Sequence, residues 1–253
     1  MIERIFAVRE AADIATCEEA TPFAFGTLLR TPSLPEVYQL NALRLESEAS
    51  AEDVVREVDR LQPDLAHRKA ITRLPELGER LLKELDEAGW STERVAVMAW
   101  DGGEPEPANG VVRELSHAEA ARLRESFYRA NPRFSSEEGM RQLLERDARF
   151  NDMFAVRELG APAEGEPVSG CRLLDHGTFA EVDFVETHEA ERGRGLGRAI
   201  VLAATATALA GGHEGVFLLA DSEDWTAGWY ERLGFRGVGF EYEFTRLPDG
   251  PRP

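Results

Sequence analysis

One seven-residue segment, RGRGLGR at residues 192–198, restricts what this chain can fold into more than any other part of it. A strand-like run precedes the segment, and an Ala-rich helical run follows it. Three glycines at alternate positions permit a tight turn without a Cβ that would block a ligand. Because the helix would direct its unpaired N–H groups and positive dipole end into the turn, we predict a phosphate or pyrophosphate site there. Arg194 and Arg198 would add positive charge to that site.

Two common phosphate-binding motifs do not describe this segment. A P-loop requires GxxxxGK followed by Ser or Thr, and the segment has no lysine. A dinucleotide-binding fold requires GxGxxG directly after its first strand. Gly193 and Gly195 fit the first two positions, but Arg198 stands at the third. In addition, three strand-like runs precede the segment without helices between them, which is wrong for that fold.

Composition limits the number of domains and the class of partner. The chain has 253 residues, which is room for one large domain or two of modest size, and two are favoured. An apolar fraction of 43% is enough for a packed core. The net charge of −18 argues against nucleic acid and anionic lipid as partners, because both are negatively charged. A cationic small molecule or peptide is compatible with this charge, although a well-solvated surface explains it more simply.

The cysteines and histidines do not form a metal-binding pattern. Cys17 and Cys171 lie far apart with no CxxC, and the five histidines show neither HxxxH nor HxH spacing. The N-terminal residues include acidic side chains and no long apolar run, so they do not resemble a signal peptide. No apolar run is long enough to span a membrane, and we therefore expect a cytoplasmic protein without a metal.

The second half of the chain alternates strand-like and helical runs. Ser116 begins a helix with Glu119 three residues later, which is a capping box. The predicted elements are a strand at 111–115, helices at 116–130 and 135–149, strands at 153–159, 168–174 and 179–187, a helix from the glycine segment to 210, a strand at 216–220, a helix at 225–233 and extended chain at 235–244. Consecutive strands followed by a strand–helix–strand unit indicate a mixed sheet in an α/β fold.

The first half shows a related order of elements. We predict strands at 23–29 and 38–45, a helix at 51–61, a strand around 70–72, a helix at 76–88 and a strand at 95–100. The final helices also end alike, in LLKELDEAGW and in GWYERLGF. An ancient internal duplication and a chance similarity of two α/β units both remain open. The Gly-, Pro- and acid-rich residues 101–109 are typical of a linker.

These features together resemble the GCN5-related N-acetyltransferase (GNAT) family, over about residues 111–247. The family signature, Gln/Arg-x-x-Gly-x-Gly/Ala, is matched in full by Arg192, Gly195 and Gly197. A later family motif ending in Y-x-x-x-G-F is matched within ADSEDWTAGWYERLGF, where Tyr230 supplies the tyrosine. The first half has SEASAED where the loop is expected, without a glycine, and Leu85 where the second half has Tyr230. The resemblance implies two GNAT-like mixed-sheet units in an α/β fold: a degenerate unit at residues 1–100, a linker at 101–110 and a catalytic unit at 111–247.

The resemblance implies an N-acetyltransferase that moves an acetyl group from acetyl-CoA to a primary amine by direct attack. The strand before the loop would splay open to take the pantetheine arm, and the loop would hold the pyrophosphate. On this resemblance, acetyl-CoA as co-substrate would contact Val185, Glu186, Thr187, Arg192, Gly193, Arg194, Gly195, Leu196, Gly197 and Arg198. Tyr230 matches the general acid that protonates the thiolate, although it could instead be a hydrogen-bonded core tyrosine.

The identity of the base is less constrained. Glu181, Asp183 and Glu186 all lie on the strand before the loop, and regular alternation puts Asp183 and Glu186 on opposite faces, with Glu186 favoured. His188 is expected to face solvent. Glu223 or Asp224 stands where the family has an asparagine that contacts CoA.

An alternative function is a CoA-binding regulatory or sensing module without turnover, since a degenerate first half shows that the scaffold survives the loss of chemistry. The acceptor would be a small-molecule or peptide amine. We expect one CoA site per chain, and either a monomer that contains an internal pseudo-dimer or a homodimer.

Overall fold

The computed structural model describes residues 1–106, 110–131, 136–162 and 164–247. The first half contains α1 (Ile2–Thr16), β1 (Glu19–Phe23), β2 (Gly26–Arg30), β3 (Ala42–Leu45), α2 (Ala51–Leu61), β4 (Arg68–Thr72), α3 (Pro75–Glu87) and β5 (Ser91–Trp100). The second half contains β6 (Arg113–Leu115), α4 (His117–Ala130), α5 (Glu137–Met153), β7 (Val156–Ala161), β8 (Ser169–Asp175), β9 (Phe179–Thr187), α6 (Leu196–Ala210), β10 (Gly215–Asp221), α7 (Trp225–Leu233) and β11 (Phe235–Arg246).

Contacts divide the chain into two compact units. The first consists of Met1–Val97, Ala220–Ala227 and the described residues from Val238 onward, and the second of Met98–Leu219 and Gly228–Gly237. The prediction divided the chain into two consecutive segments at residues 101–110. In the structure the units are not consecutive segments, because most of β11 belongs to the first unit. Residues 107–109 of the predicted linker lie outside the described residues.

The first unit is a mixed sheet with strand order β1-β2-β3-β4-β11-β5. The β1–β2 and β2–β3 pairs are antiparallel, the β3–β4 pair is parallel, and β11 runs antiparallel to β4 with Tyr242 opposite Thr72. Helices α2 and α3 cover one face, where Leu43, Leu45, Tyr242 and Phe244 join a common core with side chains of both helices.

The opposite face of this sheet is charged and lies against α1. Arg44 alternates with the core residues of β3 and pairs with Glu10 of α1 at 3.2 Å. Arg9 of α1 pairs with Glu241 of β11 at 3.3 Å, and Arg73 pairs with Asp13 of α1 at 2.7 Å. Ion pairs therefore join α1 to the sheet in addition to the buried Ile5, whereas α2 and α3 are held by apolar packing.

The second unit is a mixed sheet with strand order β10-β9-β8-β7-β6. The strand pairs from β6 to β9 are antiparallel, and β9 pairs with β10 in parallel. Arg172 on β8 and Asp183 on β9 bond to each other, and Arg172 also bonds to Asp147 of α5, which defines the face covered by α4 and α5. The alternating Leu173 and Val182 are buried on the other face, and α6 packs against β8 and β9.

Most predicted elements are confirmed, and the predicted GNAT-like order occurs in both units. In sequence order, each half contains consecutive antiparallel pairs, two in the first half and three in the second, then a parallel strand–helix–strand crossover, a helix and a last strand. The capping box of Ser116 and Glu119 begins α4 as predicted, with the Glu119 N–H donating to the Ser116 hydroxyl. The helix predicted at 135–149 is observed from Glu137, with Ser136 as its cap, while residue 135 lies outside the described residues.

Three features of the first unit differ from the predictions. The single strand expected at 23–29 is a hairpin, because the chain turns between Phe23 and Gly26. Of the strand expected at 38–45, only Ala42–Leu45 is extended, and Tyr38–Leu40 forms a short 3-10 turn. Helix α1 was not predicted, and its buried side chains, Ile5 and Thr16, do not form the apolar stripe that marks an amphipathic helix. None of the helices in the described ranges is both long and apolar enough to cross a membrane.

Candidate active site

Strands β9 and β10 separate along their length. Their pairing runs from Phe179 opposite Gly215 to Glu181 opposite Phe217, and no pairing of β9 with β10 is found beyond that point among the described residues. On its other edge β9 stays paired with β8 as far as Thr187. Backbone groups of residues 182–187 that face β10 are therefore available to a ligand, and the predicted contacts Val185, Glu186 and Thr187 lie on this splayed segment.

A β-bulge changes which faces the acidic side chains of β9 occupy. Asp183 pairs with Arg172 and Glu186 pairs with Gly170, so two residues of β9, Phe184 and Val185, lie opposite Cys171 alone. Since residues 170 and 172 share a face, Asp183 and Glu186 share one as well. The prediction from regular alternation, which put them on opposite faces, is wrong because the bulge inserts one residue between them.

The predicted phosphate loop joins β9 to the N-terminus of α6. Gly193 and Gly195 have φ of +77° and +79°, a region that side-chain-bearing residues rarely adopt, and a Cβ at either position would meet open space. Gly195 is the N-cap of α6, and no side chain caps it. The amides of Leu196, Gly197 and Arg198 in the first turn therefore have no acceptor within the helix. This arrangement suits an anion.

The arginines of the loop lie at the surface and pair with neighbouring groups. Arg194 forms an ion pair with Glu191 at 2.6 Å, and Arg198 pairs with Glu106 at 2.6 Å. Arg192 donates from Nε to the carbonyl oxygen of Thr187 at 3.2 Å. A bound phosphate would therefore have to compete with Glu191, Glu106 and the Thr187 carbonyl for these arginines. The backbone amides at the start of α6 have no such competing acceptor within the helix.

Tyr230 lies on α7, on the same unit as the splayed strand. Only 7% of its surface is exposed, and burial raises the pKa of its hydroxyl, as do the nearby Cys171, Asp183 and Glu186. Its hydroxyl makes no hydrogen bond to any of the residues that the structure describes. The structure thus brings Tyr230 beside the bulge of β9 and leaves its hydroxyl available, unlike that of a hydrogen-bonded core tyrosine.

The two carboxylates beside Tyr230 have opposite pKa shifts. Burial would raise the pKa of Asp183, but the charge and hydrogen bonds of Arg172 lower it to about 2. Burial raises the pKa of Glu186, and the charge of Arg192 offsets this only in part. Asp183 is therefore held as an anion, whereas burial makes the ionised form of Glu186 less favourable than that of an exposed glutamate.

Two other predictions about side chains change in the structure. His188 does not simply face solvent: its Nε2 lies 3.1 Å from the Ser126 hydroxyl, and its ring packs on Phe127 with centroids 4.5 Å apart. Glu223 accepts a hydrogen bond from Arg94 at 2.8 Å. Glu223, one of the two residues that stand where the family has its asparagine, is therefore a carboxylate that is already paired.

Sequence reasoning missed Trp229, which joins two parts of the site. Its indole ring lies 4.8 Å from the Tyr230 ring, and a Cβ at Gly197 would approach it within 3.6 Å. The same Cβ would lie 3.5 Å from the Thr187 hydroxyl. Gly197 therefore lets α6, α7 and the end of β9 approach closely. The signal available in the sequence was that Trp229 directly precedes Tyr230, the tyrosine of the family motif.

Comparison with known proteins identifies the second unit. Residues 120–235 match the family model described as Acetyltransferase (GNAT) family. Residues 120–235 form a GNAT-family domain. This GNAT domain begins within α4 and includes all of the elements from α5 to α7, and therefore every residue assigned above to the candidate site. A search of curated proteins found no match to the chain.

Solved structures resemble more of the chain than the GNAT domain alone. A GCN5-related N-acetyltransferase from Kribbella flavida is 18% identical with a TM-score of 0.67, over 98% of this chain and 95% of that one. A conserved protein of unknown function from Staphylococcus epidermidis is 16% identical with a TM-score of 0.69, over 90% and 92% of the two chains. A putative GNAT-family acetyltransferase from Novosphingobium aromaticivorans is 18% identical with a TM-score of 0.52, over 78% and 81%. These similarities show a shared fold that includes the first half. No group of three or more metal-ligating side chains is found in the described part of the GNAT domain or elsewhere in the described chain.

Proposed function

We propose that the chain is an N-acetyltransferase that moves an acetyl group from acetyl-CoA to a primary amine, with the GNAT domain as its catalytic unit. The observation that supports this most directly is the meeting of three features at one place. A Cβ at Gly197, in the uncapped first turn of α6, would lie 3.5 Å from the Thr187 hydroxyl at the splayed end of β9 and 3.6 Å from Trp229. The Trp229 ring lies 4.8 Å from the ring of Tyr230, so the three features are neighbours.

The loop and the splayed strand would bind the donor. Amides from Gly193 to Arg198 would donate to its pyrophosphate, with the first turn of α6 oriented toward the negative charge. Backbone groups of Val185, Glu186 and Thr187 would bond to the pantetheine arm in place of the absent β10 partner. An N–H of this segment would also lie near the thioester oxygen, where negative charge develops.

Acetyl-CoA supplies an acetyl group as a thioester, whose C–S bond breaks as a C–N bond forms to the acceptor nitrogen. We assign the two proton transfers to Glu186 and Tyr230. Glu186, with its raised pKa, would take the proton that the amine loses. Tyr230, which its own raised pKa keeps protonated at neutral pH, would give its proton to the departing sulfur.

The acceptor would be a small-molecule or peptide amine. The same face of β9 that holds Glu186 also holds the ionised Asp183, and helices α4 and α5 cover that face. Because Arg172 pairs with Asp183, the charge of Asp183 is compensated and does not by itself select a cationic amine.

Release of free thiol from acetyl-CoA, measured across a panel of primary amines, tests the proposal. We expect release to depend on one or a few amines and to be accompanied by a stable amide product detected by mass spectrometry. Calorimetric binding of CoA is measured in parallel. Binding of one CoA per chain with no thiol release for any amine would instead support the regulatory or sensing module.

A further inference from the structure

Phe184 occupies a backbone conformation that a phenylalanine does not adopt without support. Its φ is +51°, and it is the one non-glycine residue with positive φ in the described chain. In the related bulge type with a left-handed first residue, glycine holds this position because it has no Cβ to strain. Something in the surroundings must therefore hold Phe184 in place.

Asp183, the residue directly before Phe184, is held to the neighbouring strand by its side chain. Its carboxylate accepts two hydrogen bonds from the Arg172 guanidinium, from Nε at 3.1 Å and from Nη2. Arg172 lies directly opposite Asp183 in the register of β8 and β9. This ion pair therefore fixes the last regularly paired residue of β9 before the bulge.

Arg172 is itself fixed from three sides. It is only 2% exposed, its Nη1 donates to Asp147 of α5 at 3.0 Å, and its guanidinium lies 4.9 Å from the Phe150 ring centre. Asp147 also accepts from the Tyr128 hydroxyl at 2.9 Å. The position of Asp183 is therefore set by a buried network that includes α4 and α5.

The Phe184 ring is held separately. The Arg124 guanidinium lies 5.4 Å from its centre, and the Phe127 and Tyr128 rings lie 6.1 and 5.5 Å away. The ring contacts fix the Phe184 side chain, whereas the pair of Asp183 with Arg172 fixes the backbone directly before Phe184.

We propose that Arg172 and Asp183 are positioning residues for acyl transfer. Their ion pair fixes Asp183 at the start of the bulge and so keeps Phe184 left-handed, which places the backbone of residues 185–187 beside the thioester. This inference rests on the proposed function, because residues 185–187 are assigned there to the donor. It adds that the geometry of the donor site depends on two side chains that bind no part of the donor.

Hydrogen exchange in the free protein tests the structural part without any substrate. We expect Asp183→Ala to speed exchange about tenfold in peptides that cover residues 184–187, with peptides of the first unit unchanged. Asp183→Asn keeps the shape and a weaker acceptor, so it should fall between the variant and the wild type. Glu114→Ala, which removes another acidic partner of an arginine on the same sheet, should leave these peptides unchanged.

A rescue experiment tests the link through Phe184. Glycine adopts positive φ without help, so Phe184→Gly should make the Asp183 side chain dispensable. We expect Asp183→Ala to lower kcat about 10- to 100-fold in the wild-type background, and less than about threefold in the Phe184→Gly background. CoA affinity should change less than kcat in both backgrounds, because the phosphate loop is separate from the bulge.

The outcomes separate this inference from the proposed function. An equal loss of kcat in both backgrounds would show that Asp183 acts on the substrate directly, and the proposal would be overturned. Unchanged exchange in Asp183→Ala, or exchange that rises throughout the chain, would overturn it as well. If the wild type transfers no acetyl group, the proposed function fails, while the exchange data still decide whether the Asp183 carboxylate holds the bulge.

Discussion

The two crossovers of this chain, β3–α2–β4 and β9–α6–β10, share one topology. They differ in the strand pairing and in the helix N-terminus, the two features that the proposed donor site uses. In the first, β3 and β4 stay paired from Leu43 opposite Ala70 to Leu45 opposite Thr72, and the Thr72 hydroxyl also donates to the Leu45 carbonyl. In the second, pairing stops at Glu181 and the strand continues past a bulge. A parallel pair that remains closed has no free backbone edge to offer a ligand.

The helix N-termini of the two crossovers differ in the same sense. Helix α2 begins at Ser50, whose hydroxyl accepts from the Asp53 N–H while the Asp53 carboxylate accepts from the Ser50 N–H. Helix α6 begins at Gly195 with no side-chain cap. The first helix thus places its own carboxylate where the second leaves donors for an anion. On the proposed function, donor binding would therefore use backbone groups that the second crossover leaves without partners in the protein.

The helices after the crossovers both end at a left-handed glycine, but the residue four positions before that glycine differs in kind. Gly89 and Gly234 both have positive φ just beyond α3 and α7, at +81° and +117°. Four residues before each stands Leu85 or Tyr230. Leu85 is fully buried in the apolar core of the first unit, where it contributes packing. The equivalent position in the second unit, Tyr230, contributes a hydroxyl group.

The largest effect we predict is on the second half expressed alone. Residues 102–253 would lack β4, the partner of β11, and would expose Tyr242 and Phe244, which are 1% and 0% exposed in the whole chain. We expect this fragment to be poorly soluble, as judged by size-exclusion chromatography, because an unpaired apolar strand promotes aggregation.

Co-expression of residues 1–101 with the fragment is the matched control and should restore a soluble complex. A monomeric, fully active fragment 102–253 would show that the first unit is dispensable and that the shared topology has no role in holding the second unit together.

The next largest effect concerns the residue that distinguishes α7 from α3. Tyr230→Phe removes the proposed acid and keeps the ring, so we expect kcat to fall about 10²- to 10⁴-fold with little change in CoA affinity. Tyr242→Phe is the control, since it removes a hydroxyl that bonds to Glu79 at 3.0 Å in the first unit. Tyr242→Phe should affect thermal stability and leave kcat unchanged. Native turnover by Tyr230→Phe would assign the proton to another donor.

Particular residues show how far sequence reasoning reaches in such a chain. Ser116 and Glu119 predicted the start of α4, and the glycines of residues 192–198 predicted the loop, because caps and left-handed glycines are local requirements. The hairpin at β1–β2 was missed because its requirement is not local: a Cβ on Gly26 would lie 2.0 Å from the Arg44 carbonyl oxygen on the neighbouring strand.

The bulge was missed for a different reason. The run VDFVET has two adjacent apolar residues, Phe184 and Val185, which break the alternation of the strand. That break is a signal for an inserted residue, but the support for it comes from Arg172, eleven residues earlier, and from α5. The position of Glu186 relative to Asp183 therefore depends on contacts that the strand sequence alone does not specify.

The third prediction concerns a substitution that makes the N-terminus of α6 resemble that of α2. Gly195→Glu places a carboxylate at the start of α6, as Asp53 does at α2, and we expect CoA affinity to fall at least about 100-fold, or about 2.8 kcal/mol. Gly195→Gln imposes the same backbone strain at φ of +79° without the charge, and should weaken binding much less. Calorimetry measures both. Equal affinities for the two variants would mean that charge at this N-terminus does not matter for the donor.

The smallest effect is a pair of opposite pH dependences, one in each crossover. Hydrogen bonds from Ser50 and Arg56 lower the pKa of Asp53 from 3.8 to about 2. The ionised carboxylate therefore contributes stability above the pKa of the unfolded state, and this stability is lost as the pH falls through about 2.

Burial raises the pKa of Glu186 above 4.5, so ionisation of Glu186 costs stability as the pH rises through its pKa in the folded state. Asp53→Asn should lower Tm at pH 7, and Glu186→Gln should raise it, each by about 1–2 °C. The Asp53 difference should disappear below about pH 2 and the Glu186 difference below about pH 4, the ordinary carboxyl range. Thermal melts across pH measure both, and a Glu186→Gln variant less stable than the wild type at pH 7 would show that Glu186 is a structural carboxylate like Asp53 and not a group held ready for proton transfer.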